Sequence, residues 1–76
     1  MIDYEPLNAE VLAAHESGDN ATLVRIYKKL GNDELAAGRE LEGAYFLTQA
    51  YVYALEGGLP ERHEIHKTLV AYGREE

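Results

Sequence analysis

Apolar residues recur at helical intervals along most of the chain, and glycine closes each run. Leu23, Ile26, Tyr27 and Leu30 step by three and four, as do Leu47, Ala50, Tyr51 and Ala54, and then Ile65, Leu69 and Tyr72. The runs end at Gly18, Gly38, the Gly57-Gly58 pair and Gly73, residues without a Cβ that can take the left-handed conformation in which helices stop. Asp19 or Asn20 is placed to cap the second run, and Glu40 and Glu42 fall in the first turn of the third. Pro6 and Pro60 suit first helical positions, where a missing N–H costs nothing. No stretch sustains a period of two, and no Asn-Gly or Asp-Gly hairpin turn occurs. The pattern predicts an all-α fold of four short helices, over residues 6–17, 20–37, 40–56 and 60–72. Loops of two to four residues leave consecutive helices no arrangement but antiparallel packing.

The third predicted helix differs from the others. From Gly43 to Leu55 its only strongly polar side chains are Thr48 and Gln49. A helix that is apolar all round is expected to be enclosed by its neighbours, which makes this the central one. Gly43, Ala44, Ala50 and Ala54 offer small surfaces where other backbones can come close. Any face that the short helices leave uncovered is expected to be an interface.

Seventy-six residues make a single domain, 1–76, whose small core leaves little room for a deep catalytic cleft. A composition 46% apolar and 28% charged is that of a globular chain. Fourteen acidic residues against seven basic give a net charge of −7, a field that repels phosphate backbones and anionic lipid. Neither nucleic acid nor membrane is therefore an expected partner. A mimic of nucleic acid would need its negative charge gathered on one face, and basic residues interrupt it. The absence of cysteine excludes disulfides, thiolate zinc sites and a cysteine nucleophile. No apolar run approaches the roughly 18 residues of a membrane span, and Met1-Ile2-Asp3-Tyr4-Glu5 does not resemble a signal peptide. The expected setting is cytoplasmic.

One stretch resembles a tetratricopeptide repeat, a helix–turn–helix of about 34 residues. With Leu30-Gly31 as the repeat's Leu-Gly pair, Tyr27 falls on its aromatic position and Gly38 on its inter-helix turn. Gly43, Leu47 and Ala50 then fall on the small, bulky and small positions of the second helix. The register covers residues 24–57; it departs from the family at Glu34, where a large aromatic is usual, and at Leu55, where proline is common. The resemblance implies that Gly31 lets the second helix pack close. It also implies that helices 6–17 and 60–72 act as caps, or that the chain pairs with a second copy, since a lone repeat cannot bury its apolar face.

Among side chains that could carry chemistry, Arg25, Lys28 and Lys29 cluster on one helix, with Arg25 and Lys29 as a like-charged i, i+4 pair. The resemblance places Arg25, Lys28 and Asn32 on the face that lines the family's concave groove, where ammonium and amide donors suit a peptide carboxylate. The plain alternative is a solvated basic face balanced by surrounding acids. His63 and His66, three apart on the last helix, are weak metal candidates: a closed site needs about four ligands, and the other histidine is the distant His15. The pair is expected to be dispensable, and the sequence calls for no metal and no cofactor.

Six tyrosines, Tyr4, Tyr27, Tyr45, Tyr51, Tyr53 and Tyr72, suit either a helical core or an interface, and Tyr45 and Tyr53 are the ones expected to be partly exposed. The acid pairs Asp33-Glu34 and Glu75-Glu76 read as exposed, with nothing to raise a pKa. No phosphate loop, dinucleotide fingerprint or nucleophile elbow occurs, so no catalytic constellation is present and an enzyme is not expected. The sequence thus points to a small interaction module that binds a protein or peptide partner through a groove of Arg25, Lys28, Asn32, Tyr45 and Tyr53. The alternative is a homodimer completed through the apolar third helix.

Overall fold

Four α-helices follow one another in the computed structural model, which describes residues 4–74: α1 (Tyr4–Ser17), α2 (Asn20–Ala36), α3 (Glu40–Glu56) and α4 (Glu61–Ala71). The architecture is all-α, with no strand among the described residues. Helix ends lie within two residues of those predicted. The largest difference is at α1, which starts at Tyr4 and so places Pro6 third rather than first. Proline is still tolerated there, because the first four N–H groups of a helix have no intrahelical acceptor. The Tyr4 side chain, the opening segment Met1–Asp3 and the Glu75-Glu76 pair lie outside the described residues.

All four helices stop by the same device. Gly18, Gly38, Gly58 and Gly73 take φ of 69°, 82°, 62° and 72°. The residue after each glycine donates its N–H back to a carbonyl five positions earlier: Asp19 to Ala14 (2.8 Å), Arg39 to Glu34 (2.8 Å), Leu59 to Ala54 (2.8 Å) and Arg74 to Leu69 (2.9 Å). This is the Schellman closure. Its four acceptor residues are all buried, so each helix turns away just as it leaves the core. At the second closure, the usual apolar contact is replaced by a bidentate ion pair: the Arg39 guanidinium donates through Nε and, at 3.1 Å, through a terminal nitrogen to the Glu34 carboxylate.

Glu34, read from the sequence as exposed, is therefore a correction. It is only 6% exposed. The Arg39 hydrogen bonds hold its carboxyl below the usual value and outweigh the desolvation that raises it. A buried carboxylate is tolerated here because a guanidinium covers it. At the start of α2, Asp19 is the cap, accepting from the Thr22 N–H (3.2 Å) and hydroxyl (2.6 Å), bonds that lower its own pKa.

The core is built from Leu23, Val24 and Ile26 of α2, Ala44, Leu47, Ala50 and Ala54 of α3, Ile65 and Leu69 of α4, and Ala14 of α1. The α2–α3 hairpin has the most extensive interface, followed by α3–α4 and then α1–α2. α3 is thus central in connectivity, but it is not enclosed. The Cα atoms fill a slab of 33 × 32 × 13 Å, only two helices deep at packing distances of 8–10 Å, so every helix keeps an outward face. Tyr72, which continues the helical spacing of Ile65 and Leu69, follows the end of α4 and is 41% exposed.

Candidate functional site

The basic cluster on α2 lies beside a shallow cleft. Arg25, Lys28 and Asn32 line an open depression of about 320 Å³ together with Ala21, Lys29 and Glu61. The spacing along one helix brings them together, as expected. However, each cation already faces a carboxylate. Arg25 pairs with Glu10 of α1, Lys28 with Glu64 of α4 (2.9 Å) and Lys29 with Asp33 (3.0 Å). The cleft therefore presents three ion pairs rather than a row of free cations. Lys28 is also less exposed than expected, with 27% of its side chain accessible.

Tyr45 and Tyr53 do not join that cleft. Tyr53 stacks on Tyr27 (5.8 Å between ring centres) and meets His15 edge-on (5.3 Å), with its hydroxyl 3.3 Å from His15 Nε2. Tyr27 in turn stacks on Phe46 (6.3 Å), which meets Tyr45 edge-on (5.6 Å). The five rings form one chain that ties α1 to the α2–α3 hairpin. Burial raises the Tyr27 phenol above its usual pKa, and the neighbouring tyrosines add to the shift. Tyr53 is thus half-buried structural filler, whereas Tyr45, at the end of the chain, is 61% exposed. The five residues expected to form one groove divide between two separate surfaces.

The uncovered side of α3, where the sequence led us to expect an interface, is a second and separate surface. Among the described residues seven large apolar side chains are exposed, and four of them, Leu41 (67%), Tyr45 (61%), Val52 (42%) and Leu55 (51%), lie on this helix. With Thr48 they step by 4, 3, 4 and 3 residues, which keeps all five on one side. Thr48 donates its hydroxyl to the Ala44 carbonyl at 2.8 Å, so it brings no unmet polar group into the row. At one end, Leu41 and Tyr45 with Glu42 and Phe46 border a depression of about 280 Å³. Over 17 residues the helix offers a ridge of about 25 Å. The spacing was present in the sequence. It was masked because residues between these positions are apolar too, and periodicity cannot say which apolar face is covered.

The two histidines of α4 have different surroundings. His66 stacks on Tyr51 of α3, 5.6 Å between ring centres, while His63 is exposed. Among the described residues no three histidine or acidic side chains gather as a metal site, and no helix is long and apolar enough to cross a membrane. His66 thus packs against α3 while His63 does not, so the two histidines expected to be dispensable sit in different surroundings.

No protein-family model, curated protein or solved structure matches this chain.

Proposed function

We propose that the protein is a small acidic interaction module of the cytoplasm that docks a protein or peptide partner on the outward face of α3. The observation that carries this reading is the row Leu41, Tyr45, Val52 and Leu55, exposed along the whole length of one helix. Exposed apolar residues scattered singly need no explanation, but a continuous row does. Burying it against a partner would remove apolar surface from water at about 25 cal/mol per Å². The close approach of α2 and α3, where a Cβ on Gly31 or Gly43 would stand 3.0 Å from the other's carbonyl oxygen, supports a tetratricopeptide-like reading of residues 24–57 and agrees with a binding role.

The α2 cleft is the second reading, favoured by the convergence of Arg25, Lys28 and Asn32 on one depression. A peptide carboxylate could exchange with Glu10 or Glu64 there, since exposed ion pairs contribute only about 0–1 kcal/mol. A pull-down from native extract separates the two. Loss of a bound protein in Val52→Asn with retention in Lys28→Glu supports the α3 face, and the reverse pattern supports the cleft. A bound set indifferent to both changes removes the proposal.

A further inference from the structure

The residues bordering the α3 row specify its partner, on the premise that the row is the docking face. Steps of 4, 3, 4 and 3 are those of a coiled-coil seam, with Leu41, Thr48 and Leu55 as d positions and Tyr45 and Val52 as a positions. The e positions beside this seam are Glu42, Gln49 and Glu56, and the g positions are Ala44 and Tyr51. Ala44 is buried and Tyr51 is stacked on His66 of α4, so the g side is covered by the fold itself and carries no charge. All formal charge that α3 presents at the e and g positions flanking the seam is therefore negative.

These carboxylates are left over from the fold's own pairing. Arg25, Lys28, Lys29, Arg39 and Arg74 are held by Glu10, Glu64, Asp33, Glu34 and Glu40. Among the described residues Glu42 and Glu56 form no ion pair, and both are exposed. A second copy of this chain fits the seam poorly. Antiparallel pairing sets e against e, which brings Glu42 and Glu56 toward the same glutamates of the copy. Parallel pairing sets e against g, where Ala44 and Tyr51 offer no cation. We propose that the outward face of α3 docks a cationic amphipathic helix of another protein, with that helix's apolar seam on Leu41, Tyr45, Val52 and Leu55 and its lysines or arginines against Glu42 and Glu56.

Two synthetic probes test this: helical peptides of about three heptads, identical at a and d, with lysine at every e and g position in one and glutamate in the other. Fluorescence anisotropy against the intact protein reads the affinities. The lysine peptide is expected to bind at least about tenfold more tightly than the glutamate peptide, with the ratio shrinking as salt shortens the screening length. Glu42→Gln/Glu56→Gln should weaken lysine-peptide binding about threefold to tenfold. Glu16→Gln/Asp33→Asn removes the same charge elsewhere and should change it by less than about twofold.

If the two double variants behave alike, the charge selection is wrong. The docking face itself then still stands, provided Val52→Asn or Leu41→Ser abolishes binding of both peptides with helicity unchanged. If the lysine peptide binds Val52→Asn and Leu41→Ser as well as wild type, the attraction is net charge alone and both readings fall. A dimer in sedimentation equilibrium that Val52→Asn dissociates would make a second copy the occupant and overturn the inference.

Discussion

Gly31 of α2 and Gly43 of α3 sit backbone against backbone where the two helices cross. A Cβ built on either glycine would stand 3.0 Å from the other's carbonyl oxygen. It would also strike a leucine: Leu47 Cγ at 2.6 Å from position 31, and Leu35 at 2.7 Å from position 43. The crossing of the hairpin is thus set by two missing methyl groups, with Leu47 and Leu35 filling the space on either side.

Gly31→Ala is expected to destabilise the fold even though alanine is the better helix former. The gain of about 1 kcal/mol in propensity is smaller than the roughly 1–3 kcal/mol of overpacking a site with no room. A net loss of up to about 2 kcal/mol in urea unfolding is anticipated, and Gly43→Ala should behave alike. The double variant should fall short of the sum, because either methyl already forces the helices apart. A stabilised Gly31→Ala would mean that the hairpin can open at no cost.

Gly38 fails for a different reason. Nothing lies within 4 Å of a Cβ there, but its φ is 82°. Alanine should cost about 1–2 kcal/mol through backbone strain alone, and valine more than 1 kcal/mol. D-alanine, introduced by chemical synthesis, should restore or raise stability at position 38, since its preferred φ is positive. It should give no such rescue at Gly31.

The Glu34–Arg39 pair should give the fold an acid-sensitive component. The carboxyl's folded pKa is depressed below the ordinary 4.5. Its contribution is therefore present above that value and is lost as pH falls through the folded pKa. Asp19, lowered by Thr22, has the same sign. Glu34→Gln should lower the denaturation midpoint at neutral pH and converge on wild type in acid. A gap between the two that stays constant from about pH 7 to pH 3 would show that the charge is not what stabilises the closure.

The histidines should separate on substitution. His66→Gln loses the stack on Tyr51 and should cost about 0.5–1 kcal/mol, while His63→Gln should remain within about 0.5 kcal/mol of wild type. Thermal unfolding of the two single variants distinguishes them. Equal effects would mean that the ring contact contributes nothing.

Local chemistry determined the helices. Asp19 before Thr22, and glycine after each apolar run, act within one turn of chain, so four helices, their ends and the all-α class were legible in the residues alone. Burial of Ala50 and Leu47 followed from their period, and the clustering of Arg25, Lys28 and Asn32 followed from helical spacing. Which charges meet across helices was not legible. The pairing of Arg25 with Glu10, of Lys28 with Glu64 and of Arg39 with a buried Glu34 depends on how the helices cross and turn, and it is this pairing that occupies the cations of the α2 cleft. Nor could periodicity choose among the faces of α3, because a helix apolar on every side carries no internal mark of its inward direction. The glycine contact at positions 31 and 43 fixes α2 on one side, the Tyr51–His66 stack sets α4 on another, and the slab is too thin to cover what remains. Leu41, Tyr45, Val52 and Leu55 face outward for that reason, a consequence of packing that no residue among them encodes by itself.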